Sequence, residues 1–573
     1  MLGAGAASGL LLPVFMIATG ALAGAVRNGG PVAVPLAAVV ITFLLERVLD
    51  PILEESGQAL WRQVDESLSQ RIMRAVAQPP GLATVESPAV RDLIVQAQGE
   101  LTDLTPGQAA YHSGRILATV VQGAASLLIL ATYHWWLAVA LLVAYWITYR
   151  VYREHWQNVT LVLYRRTDRL RHAHYLRALA LEPGAAKETR VFGLAGWLVD
   201  GYRQRWMHEM TDVWNSRREG WGASVATVTG LIVVEGFALW SVAVDAANGR
   251  LALGAAVVLA QAVLGAAILG QYKEGHWLLS ECARAVERID EVELEAAATM
   301  DVRPGALDAS DRPRHQIRFE NVTFAYPGTS EPVFDGLDLE IEAGRSLAIV
   351  GENGAGKTTL VKLLCRLHDP QGGRITVDGE DLRDLDPVSW HHRVAAVFQD
   401  YVQFELSAYD NVAYGALHNR GDRDGVAEAA RLSGADHLID RLPAGWDTPL
   451  SRQYSDGAEL SGGEWQRLAL TRALFAVRSG AGVLVLDEPT AALDVRGEAE
   501  VYERFVELTR GATTIVISHR FSTVRRADRI VVIEHGVVVE DGDHGELIRH
   551  GGRYAQMYSM QASRFDSGET QDA

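Results

Sequence analysis

The chain has 573 residues, which is enough for two or more domains with separate cores, and 48% of the residues are hydrophobic. Its formal net charge of −18 argues against a nucleic-acid partner, because such proteins present a basic surface. The two cysteines, Cys282 and Cys365, lie far apart in sequence. We therefore expect neither a disulfide framework nor a cysteine metal site, which fits a reducing cytoplasm.

Long apolar runs dominate the first half of the chain. The N-terminal run lacks the positive n-region of a signal peptide and is interpreted as a membrane span. A helix needs roughly 20 apolar residues to cross the hydrocarbon core. The run 116–149 is too long for one span and divides at the aromatic cluster 133–136, which suits a membrane interface. Six spans are thus predicted: 8–26, 31–49, two within 116–149, 222–244 and 251–271.

The loops between these spans predict their orientation. Three connections are short, whereas loops 53–114 and 152–220 are long and look helical from their Ala, Leu, Arg and Glu content. Positive loops stay on the cytoplasmic side. We therefore expect a multi-pass protein of the cytoplasmic membrane, with both long loops and the C-terminal half in the cytoplasm. The arginines of loop 152–220 include Arg165, Arg166, Arg169, Arg171, Arg177, Arg190, Arg203 and Arg205.

A segment rich in Pro, Gly, Asp and Ser follows the last predicted span. The predicted domains are therefore a transmembrane domain 1–292, a linker 293–315, a soluble domain 316–565, whose motifs follow, and a tail 566–573.

A phosphate-binding loop follows the predicted strand 346–350. It matches G-x-x-x-x-G-K-[ST] in its required strand–loop–helix setting, where backbone amides and a helix N-terminus bind phosphate. Lys357 is expected to reach the β- and γ-phosphates of a nucleotide, and Thr358 to offer its hydroxyl to Mg²⁺. The loop comprises Gly351, Glu352, Asn353, Gly354, Ala355, Gly356, Lys357, Thr358 and Thr359.

A second apolar strand, 483–487, ends in two carboxylates. Asp487 is predicted at the Mg²⁺ ion through water, and Glu488 is predicted to polarise the attacking water. Phosphoryl transfer needs charge compensation and an aligned nucleophile, and these two groups with Lys357 would supply both.

A second glycine turn, Ser461, Gly462 and Gly463, opens the helical pattern 468–474. A glycine turn at a helix N-terminus suits an anion, and because the first loop already serves one nucleotide, this turn suggests a role on another. An ordinary helix start is the alternative.

The order and spacing of these motifs resemble ATP-binding-cassette (ABC) proteins over essentially the whole chain. The resemblance implies a six-helix membrane domain of the exporter type followed by an α/β P-loop NTPase domain of the ABC type. It further implies that Tyr326 stacks on adenine and that Gln399 senses Mg²⁺ and contacts the membrane domain. Asp494 is similar to the D-loop aspartate, and His519 to the switch histidine that contacts the γ-phosphate.

The resemblance also implies a dimer, because residues 460–464 look like the signature motif that closes on the ATP of the other subunit. One cassette holds half of two composite sites, and its intact motifs favour a homodimer over a heterodimer with a second half-transporter. Glu464 departs from the more usual glutamine, with an effect that stays open.

Six spans before one cassette resemble the exporter branch, in which loop 185–193 docks on the cassette. The segments 398–401 and 463–466 look similar to lanthipeptide exporters, but peptide, drug and lipid cargo all stay open. A soluble cassette protein is excluded by the six spans, and a degenerate regulatory subunit would have lost Glu488 or His519. An importer would keep its membrane and ATPase parts on separate chains. The resemblance also leaves open whether the natural N-terminus extends upstream of Met1.

Glu235 is an acidic residue in the middle of the fifth predicted span. A carboxylate at membrane depth is costly unless it faces a cavity or a partner. We therefore expect Glu235 either to face a central cavity and contact a cationic cargo or to form a hydrogen bond between helices.

Overall fold

The computed structural model describes residues 1–97, 105–164, 167–329, 331–488 and 507–569. Contacts divide the chain into two compact units, one of residues 1–75 and 89–295 and the other of residues 76–88 and 296–573. The division after residue 295 falls at the start of the linker predicted from sequence. The inclusion of residues 76–88 in the second unit was not predicted.

Helices make up the first half of the chain, and both long loops are largely helical, as predicted. In chain order the α-helices are α1 Leu2–Asn28, α2 Ala33–Ala77, α3 Ala83–Glu86, α4 Pro88–Ala97, α5 Pro106–Ala131, α6 Trp135–Tyr164, α7 Thr167–Leu181, α8 Ala186–Val191, α9 Ala195–Glu219, α10 Trp221–Ala247, α11 Leu253–Ala266 and α12 Glu274–Ala298.

Among the described residues, five helical stretches are long and apolar enough to cross a membrane, and they correspond to five of the six predicted spans. The break between α5 and α6 falls at the aromatic cluster, as predicted. The predicted span 31–49 does not reach that apolar length, because Glu46, Arg47 and Asp50 follow its apolar start within α2. Residues 293–298, assigned to the linker, instead continue helix α12, so the irregular connection begins only after Ala298.

Close backbone approach at glycines packs α1 against its neighbours in the first unit. A Cβ atom on Gly5 would lie 2.5 Å from the carbonyl oxygen of Gly114 in α5, and one on Gly20 would lie 2.7 Å from that of Gly254 in α11. Small residues at such crossings let two helix backbones approach closely and make van der Waals contact with each other. This accounts for the glycine-rich sequence of α1.

The second unit is an α/β domain with two sheets. The six-stranded sheet has the order β10-β9-β3-β8-β7-β6, and the four-stranded antiparallel sheet has the order β2-β1-β4-β5. The strands are β1 Gln316–Phe324, β2 Phe334–Glu342, β3 Ser346–Val350, β4 Gly372–Val377, β5 Glu380–Asp381, β6 Val394–Val397, β7 Val483–Asp487, β8 Thr513–Ile517, β9 Arg529–Glu534 and β10 Val537–Gly542.

Every residue of β7 and β8 is buried, as expected for parallel strands covered on both faces. One core lies between the two sheets and packs against the phosphate-loop helix, and a second packs a helical subdomain against the other face. The described helices of this unit beyond α12 are α13 Lys357–Leu364, α14 Pro387–Arg393, α15 Ala408–Ala413, α16 Arg423–Ser433, α17 Asp436–Asp440, α18 Gly462–Arg478, α19 Phe521–Val524, α20 His544–His550 and α21 Arg553–Glu569.

Candidate nucleotide site

Four neighbouring parallel strands end at one cavity of the second unit. The phosphate loop follows β3, Gln399 follows β6, Glu488 follows β7 and His519 follows β8. These strands pair in the order β3, β8, β7, β6. Ligands of open α/β sheets bind outside the carboxyl ends of the strands, so the topology brings these residues together at the expected edge.

The phosphate loop has the backbone that its glycines permit. Gly354 and Gly356 have φ angles of 84° and 97°, in the left-handed region that favours glycine. A Cβ atom on Gly356 would also lie 2.7 Å from the ring of Phe334. Helix α13 then begins at Lys357, so its free backbone N–H groups face the loop.

Lys357 is a buried cation, with only 7% of its surface exposed. Its Nζ atom donates hydrogen bonds to the carbonyl oxygens of Gly351 and Glu352, both at 2.9 Å. Burial lowers the pKa of Lys357, and the nearby carboxylates of Glu488 and Asp487 act in the opposite direction. The loop therefore holds a positive charge that an anionic ligand would neutralise.

Thr358 and Asp487 form a pair of oxygen groups beside Lys357. The Thr358 hydroxyl donates to Oδ2 of Asp487 at 3.0 Å, and Asp487 is 1% exposed. Burial raises the pKa of Asp487, and the hydrogen bond from Thr358 opposes this. Hard oxygen groups of this kind fit Mg²⁺, which usually binds one or two protein groups, phosphate oxygens and water. The described residues contain no group of three or more His, Cys, Asp or Glu side chains placed to hold a metal ion.

Glu488 is held from two sides. Nε2 of His519 lies 2.9 Å from its Oε1, and Nε2 of Gln399 donates to its Oε2 at 3.1 Å. The backbone of Glu488 has a φ of 47°, an uncommon conformation for a residue with a side chain, and its N–H donates to the carbonyl of Ile517 at 2.9 Å. The strand end and both neighbours together direct this carboxylate toward the cavity.

The cavity has a volume of about 500 Å³. It is lined by Val333, Asn353, Gly354, Gly356, Lys357, Thr358, Thr359, Gln399, Glu488 and His519. All of these except Val333 were predicted from sequence, and Val333 carries no motif that would have marked it. Gly351, Glu352 and Ala355 belong to the same loop without lining the cavity.

Tyr326 lies beside the cavity rather than in its lining. Its hydroxyl is 3.1 Å from Oγ1 of Thr359, and the Lys362 ammonium lies 5.0 Å from the centre of its ring. The predicted stacking on adenine therefore stays a prediction.

The predicted signature turn lies outside the cavity lining and begins α18. Ser461 is the N-cap residue, and Ser461 and Glu464 form a capping box. Glu464 also bonds to Arg441 at 2.7 Å. Hydrogen bonds from the Ser461 backbone and side chain and from Arg441 lower the pKa of Glu464. Glu464 thus acts as an ionised cap of this helix, and Asp494 lies outside the described residues.

Residues 76–88 contact the nucleotide unit close to Tyr326. The backbone N–H of Leu82 donates to the carbonyl of Leu367 at 2.8 Å, and Glu86 pairs with Lys362 at 3.2 Å. Lys362 in turn covers the Tyr326 ring. A break in the long helical loop, Gln78-Pro79-Pro80-Gly81, was the available sequence signal for this contact.

The first unit contains a cavity of about 740 Å³. Glu235 is not among the residues that line it, and its Oε1 accepts a hydrogen bond from the Tyr145 hydroxyl of α6 at 2.9 Å. The interhelical hydrogen bond is thus present, and contact of Glu235 with cargo stays a prediction. The lining residues are Ile116, Thr119, Val120, Leu142, Tyr145, Trp146, Tyr149, Arg153, Gln157, Ile268, Leu269, His276, Leu279, Ser280, Ala283 and Arg284.

Residues 182–193, which include the predicted docking loop 185–193, form a short 3-10 turn, Pro183–Ala185, followed by α8. None of the residues in these two elements is buried. Val191 and Phe192 are 80% and 70% exposed, so the loop carries apolar side chains on the surface of the first unit.

Comparison with known proteins agrees with this geometry. Residues 334–491 match the family model described as ABC transporter. The ATP-dependent lipid A-core flippase of Ralstonia nicotianae is 43% identical over 252 residues, which are 44% of this chain and 42% of the relative. That of Chromobacterium violaceum is 37% identical over 367 residues, which are 63% of this chain and 60% of the relative. The matched segments thus span less than two thirds of these relatives.

The fold of the whole chain also has a solved counterpart. The structure of a bacterial Atm1-family ABC exporter with ATP bound has a TM-score of 0.72, with 24% identity, over 97% of this chain and 96% of that one. The family match thus lies within the nucleotide domain, and the chain as a whole has the fold of that ABC exporter structure.

Proposed function

We propose that the chain is one half of a dimeric exporter that uses ATP hydrolysis to move cargo across the cytoplasmic membrane. The observation that carries the proposal is Glu488, held between Gln399 and His519 beside a complete phosphate loop. The exporter fold joins this site to a helical unit with five membrane-length apolar stretches among its described residues.

The proposed roles follow from the geometry. Lys357 and the N–H groups at the start of α13 bind the phosphates, and Thr358, Asp487 and Gln399 are the groups available to Mg²⁺. The ion would supply charge compensation when bound. Glu488 orients and polarises the attacking water, and His519 holds the Glu488 carboxylate and contacts the γ-phosphate.

A second cassette completes the site in this proposal. Ser461, Gly462 and Gly463 do not line the cavity of their own domain, so their glycine turn is free for the ATP of another subunit. The intact motifs support a homodimer. The arginine-rich long loops support a cytoplasmic location of the nucleotide domain.

ATPase activity in lipid nanodiscs tests the proposal. We expect Mg²⁺-dependent hydrolysis by the wild-type protein and nearly none by Glu488→Gln, because the amide cannot polarise water as the carboxylate does. Glu380→Gln, an exposed glutamate of β5, is the matched control and should hydrolyse ATP like the wild type. Equal rates for Glu488→Gln and Glu380→Gln would refute the role of Glu488.

A second proposal concerns the cargo, which we infer to be an amphiphile with an acidic group. The cavity of the first unit combines Trp146, Tyr149 and aliphatic side chains with Arg153, which forms no ion pair with another described residue. Leu142 and Arg153 are 11 positions apart on α6, or about 16 Å, so one ligand could place an apolar chain and an anion at the two ends. The lipid A-core flippases among the relatives are consistent with a lipid cargo.

Matched lysolipids test this second proposal. In nanodiscs, lysophosphatidic acid should stimulate the ATPase more than lysophosphatidylcholine of the same chain length. Arg153→Gln should remove the difference. Arg150→Gln should retain it, because Arg150 is already paired with Glu154 at 3.0 Å and does not line the cavity. Equal stimulation by both lipids in the wild type would contradict the acidic preference.

A further inference from the structure

The C-terminal helix α21 contacts the backbone that carries His519. Oε1 of Gln561 accepts a hydrogen bond from the backbone N–H of Phe521, and Nε2 of Gln561 donates to the carbonyl oxygen of His519, both at 3.0 Å. One amide group therefore bonds to the main chain on both sides of Arg520. Such a two-point contact restricts rotation of the segment more than either bond alone.

Aromatic packing fixes the same segment to the same helix. Phe521 is 8% exposed, and its ring centre lies 5.2 Å from that of Tyr554 and 5.5 Å from that of Tyr558. Tyr554 is fully buried, and its hydroxyl is 2.8 Å from Nδ1 of His544. The turn after β8 thus packs against the first two turns of α21. This packing fixes the position of the helix from which the Gln561 side chain extends.

The N-terminal end of α21 reaches the phosphate loop. The Arg553 guanidinium pairs with Glu352 of that loop and with Glu534 at the end of β9. Arg553 and Gln561 are eight positions apart, so about 12 Å of helix connects the phosphate loop to the histidine segment. The helix therefore contacts both the phosphate loop and the segment that carries His519.

The His519 ring itself has little packing to hold it. Its side chain is 44% exposed, and its Nε2 atom lies 2.9 Å from Oε1 of Glu488. The direction of the imidazole therefore depends on the backbone from which it projects, and that backbone is bonded to Gln561.

We propose that Gln561 is a positioning residue of the ATPase site, which holds His519 in the orientation that meets Glu488 and the γ-phosphate. This inference rests on the proposed function, in which His519 contacts the γ-phosphate, a group that ATP has and ADP lacks. Loss of the Gln561 amide should then weaken ATP binding relative to ADP binding and lower kcat.

The test compares Gln561→Met, which keeps the length of the side chain without its hydrogen bonds, with Gln556→Met. Gln556 is exposed on the same helix, so it is the matched control. We expect Gln561→Met to lower kcat and the ratio of ATP to ADP affinity by about tenfold, with ADP affinity unchanged. Gln556→Met should match the wild type in all three quantities.

A double-mutant cycle with His519→Ala separates positioning from general stability. If Gln561 acts through His519, adding Gln561→Met to His519→Ala should not lower the ratio of ATP to ADP affinity further. An equal loss of ATP and ADP affinity in Gln561→Met, or a full additional loss in the double variant, would overturn the proposal. Gln561→Ala provides the same comparison if the methionine variant does not fold.

The cycle also separates this inference from the proposed function. Absence of Mg²⁺-dependent hydrolysis by the wild-type protein would refute the ATPase itself. Normal wild-type hydrolysis with a Gln561→Met variant indistinguishable from Gln556→Met would refute only the positioning role.

Discussion

At the scale of single residues, the nucleotide site depends on charges that are buried before any ligand arrives. Lys357 is nearly inaccessible and Asp487 almost completely so. Burial disfavours both charges, and their mutual proximity offsets part of this cost. The site is therefore organised to receive an anion and a cation together.

Replacement of Lys357 tests this arrangement. Lys357→Ala should weaken ATP binding by about tenfold or more, since it removes a charged hydrogen-bond donor from a buried position. Binding of a fluorescent ATP analogue to the purified protein measures the effect, and thermal unfolding checks that the domain remains folded. Unchanged affinity in a folded variant would contradict a phosphate-binding role.

The ionised cap at Glu464 predicts a pH dependence of stability. Its pKa is depressed in the folded state by Ser461 and Arg441, so its contribution is present above the unfolded pKa of 4.5 and is lost as pH falls through the folded pKa. We expect Glu464→Ala to lower the melting temperature at pH 7 by a few degrees, which corresponds to about 1 kcal/mol. The difference from the wild type should shrink below about pH 4.5.

Exposed Glu380 offers the comparison for this prediction. Glu380→Ala should leave the melting temperature close to that of the wild type at every pH at which the protein is folded. A Glu464→Ala difference that stays constant from pH 7 to pH 4 would show that the ionised cap does not contribute.

At the scale of elements, the sequence predicted the parts of the site that are contiguous. Three short segments could be recognised because each places its functional groups within a few consecutive residues. They are the phosphate loop, the carboxylates after β7 and the glycine turn before α18. The residues that bracket Glu488 come from strands β6 and β8, and family resemblance rather than local pattern identified Gln399 and His519.

The remaining contacts could not be predicted because they join distant parts of the chain without a motif. Gln561 is one glutamine in an amphipathic helix, and its contact with His519 depends on how α21 packs against Phe521. Residues 76–88 look like part of a long helical loop, and only the fold brings Glu86 to Lys362. The predicted span 31–49 lies within α2, but it is not one of the five membrane-length apolar stretches of the described residues, because Glu46 and Arg47 precede its predicted end.

The exposed loop 182–193 carries a prediction at this scale. Simultaneous Glu188→Ala and Arg190→Ala replacement should reduce cargo-stimulated ATPase and transport while leaving ATP affinity unchanged, because these residues do not line the nucleotide cavity. ATPase with and without lysophosphatidic acid in nanodiscs measures the uncoupling.

A matched pair of replacements on an exposed face of α9, Asp200→Ala with Arg203→Ala, controls for changed surface charge. If both double variants keep full cargo stimulation, the loop is a solvent-exposed turn rather than a docking element.

At the scale of the whole molecule, the proposed dimer would contain two composite sites, and each chain would supply a different half to each site. The phosphate loop faces its own cavity, whereas the signature turn lies outside that lining. If Ser461 acts on the nucleotide of the partner, the number of intact sites in a dimer depends on which subunit carries each replacement.

Mixed dimers measure that distribution. A dimer of one Lys357→Ala subunit and one Ser461→Ala subunit places both lesions in the same composite site and leaves the other site intact. A dimer in which one subunit carries both replacements and the other carries none has one lesion in each site. We expect the first dimer to retain more ATP trapping than the second, with the two subunits purified through different affinity tags. Equal trapping would mean that Ser461 contributes to neither site, and greater trapping by the second dimer would mean that Ser461 acts within its own subunit. Either result would refute the dimeric mechanism.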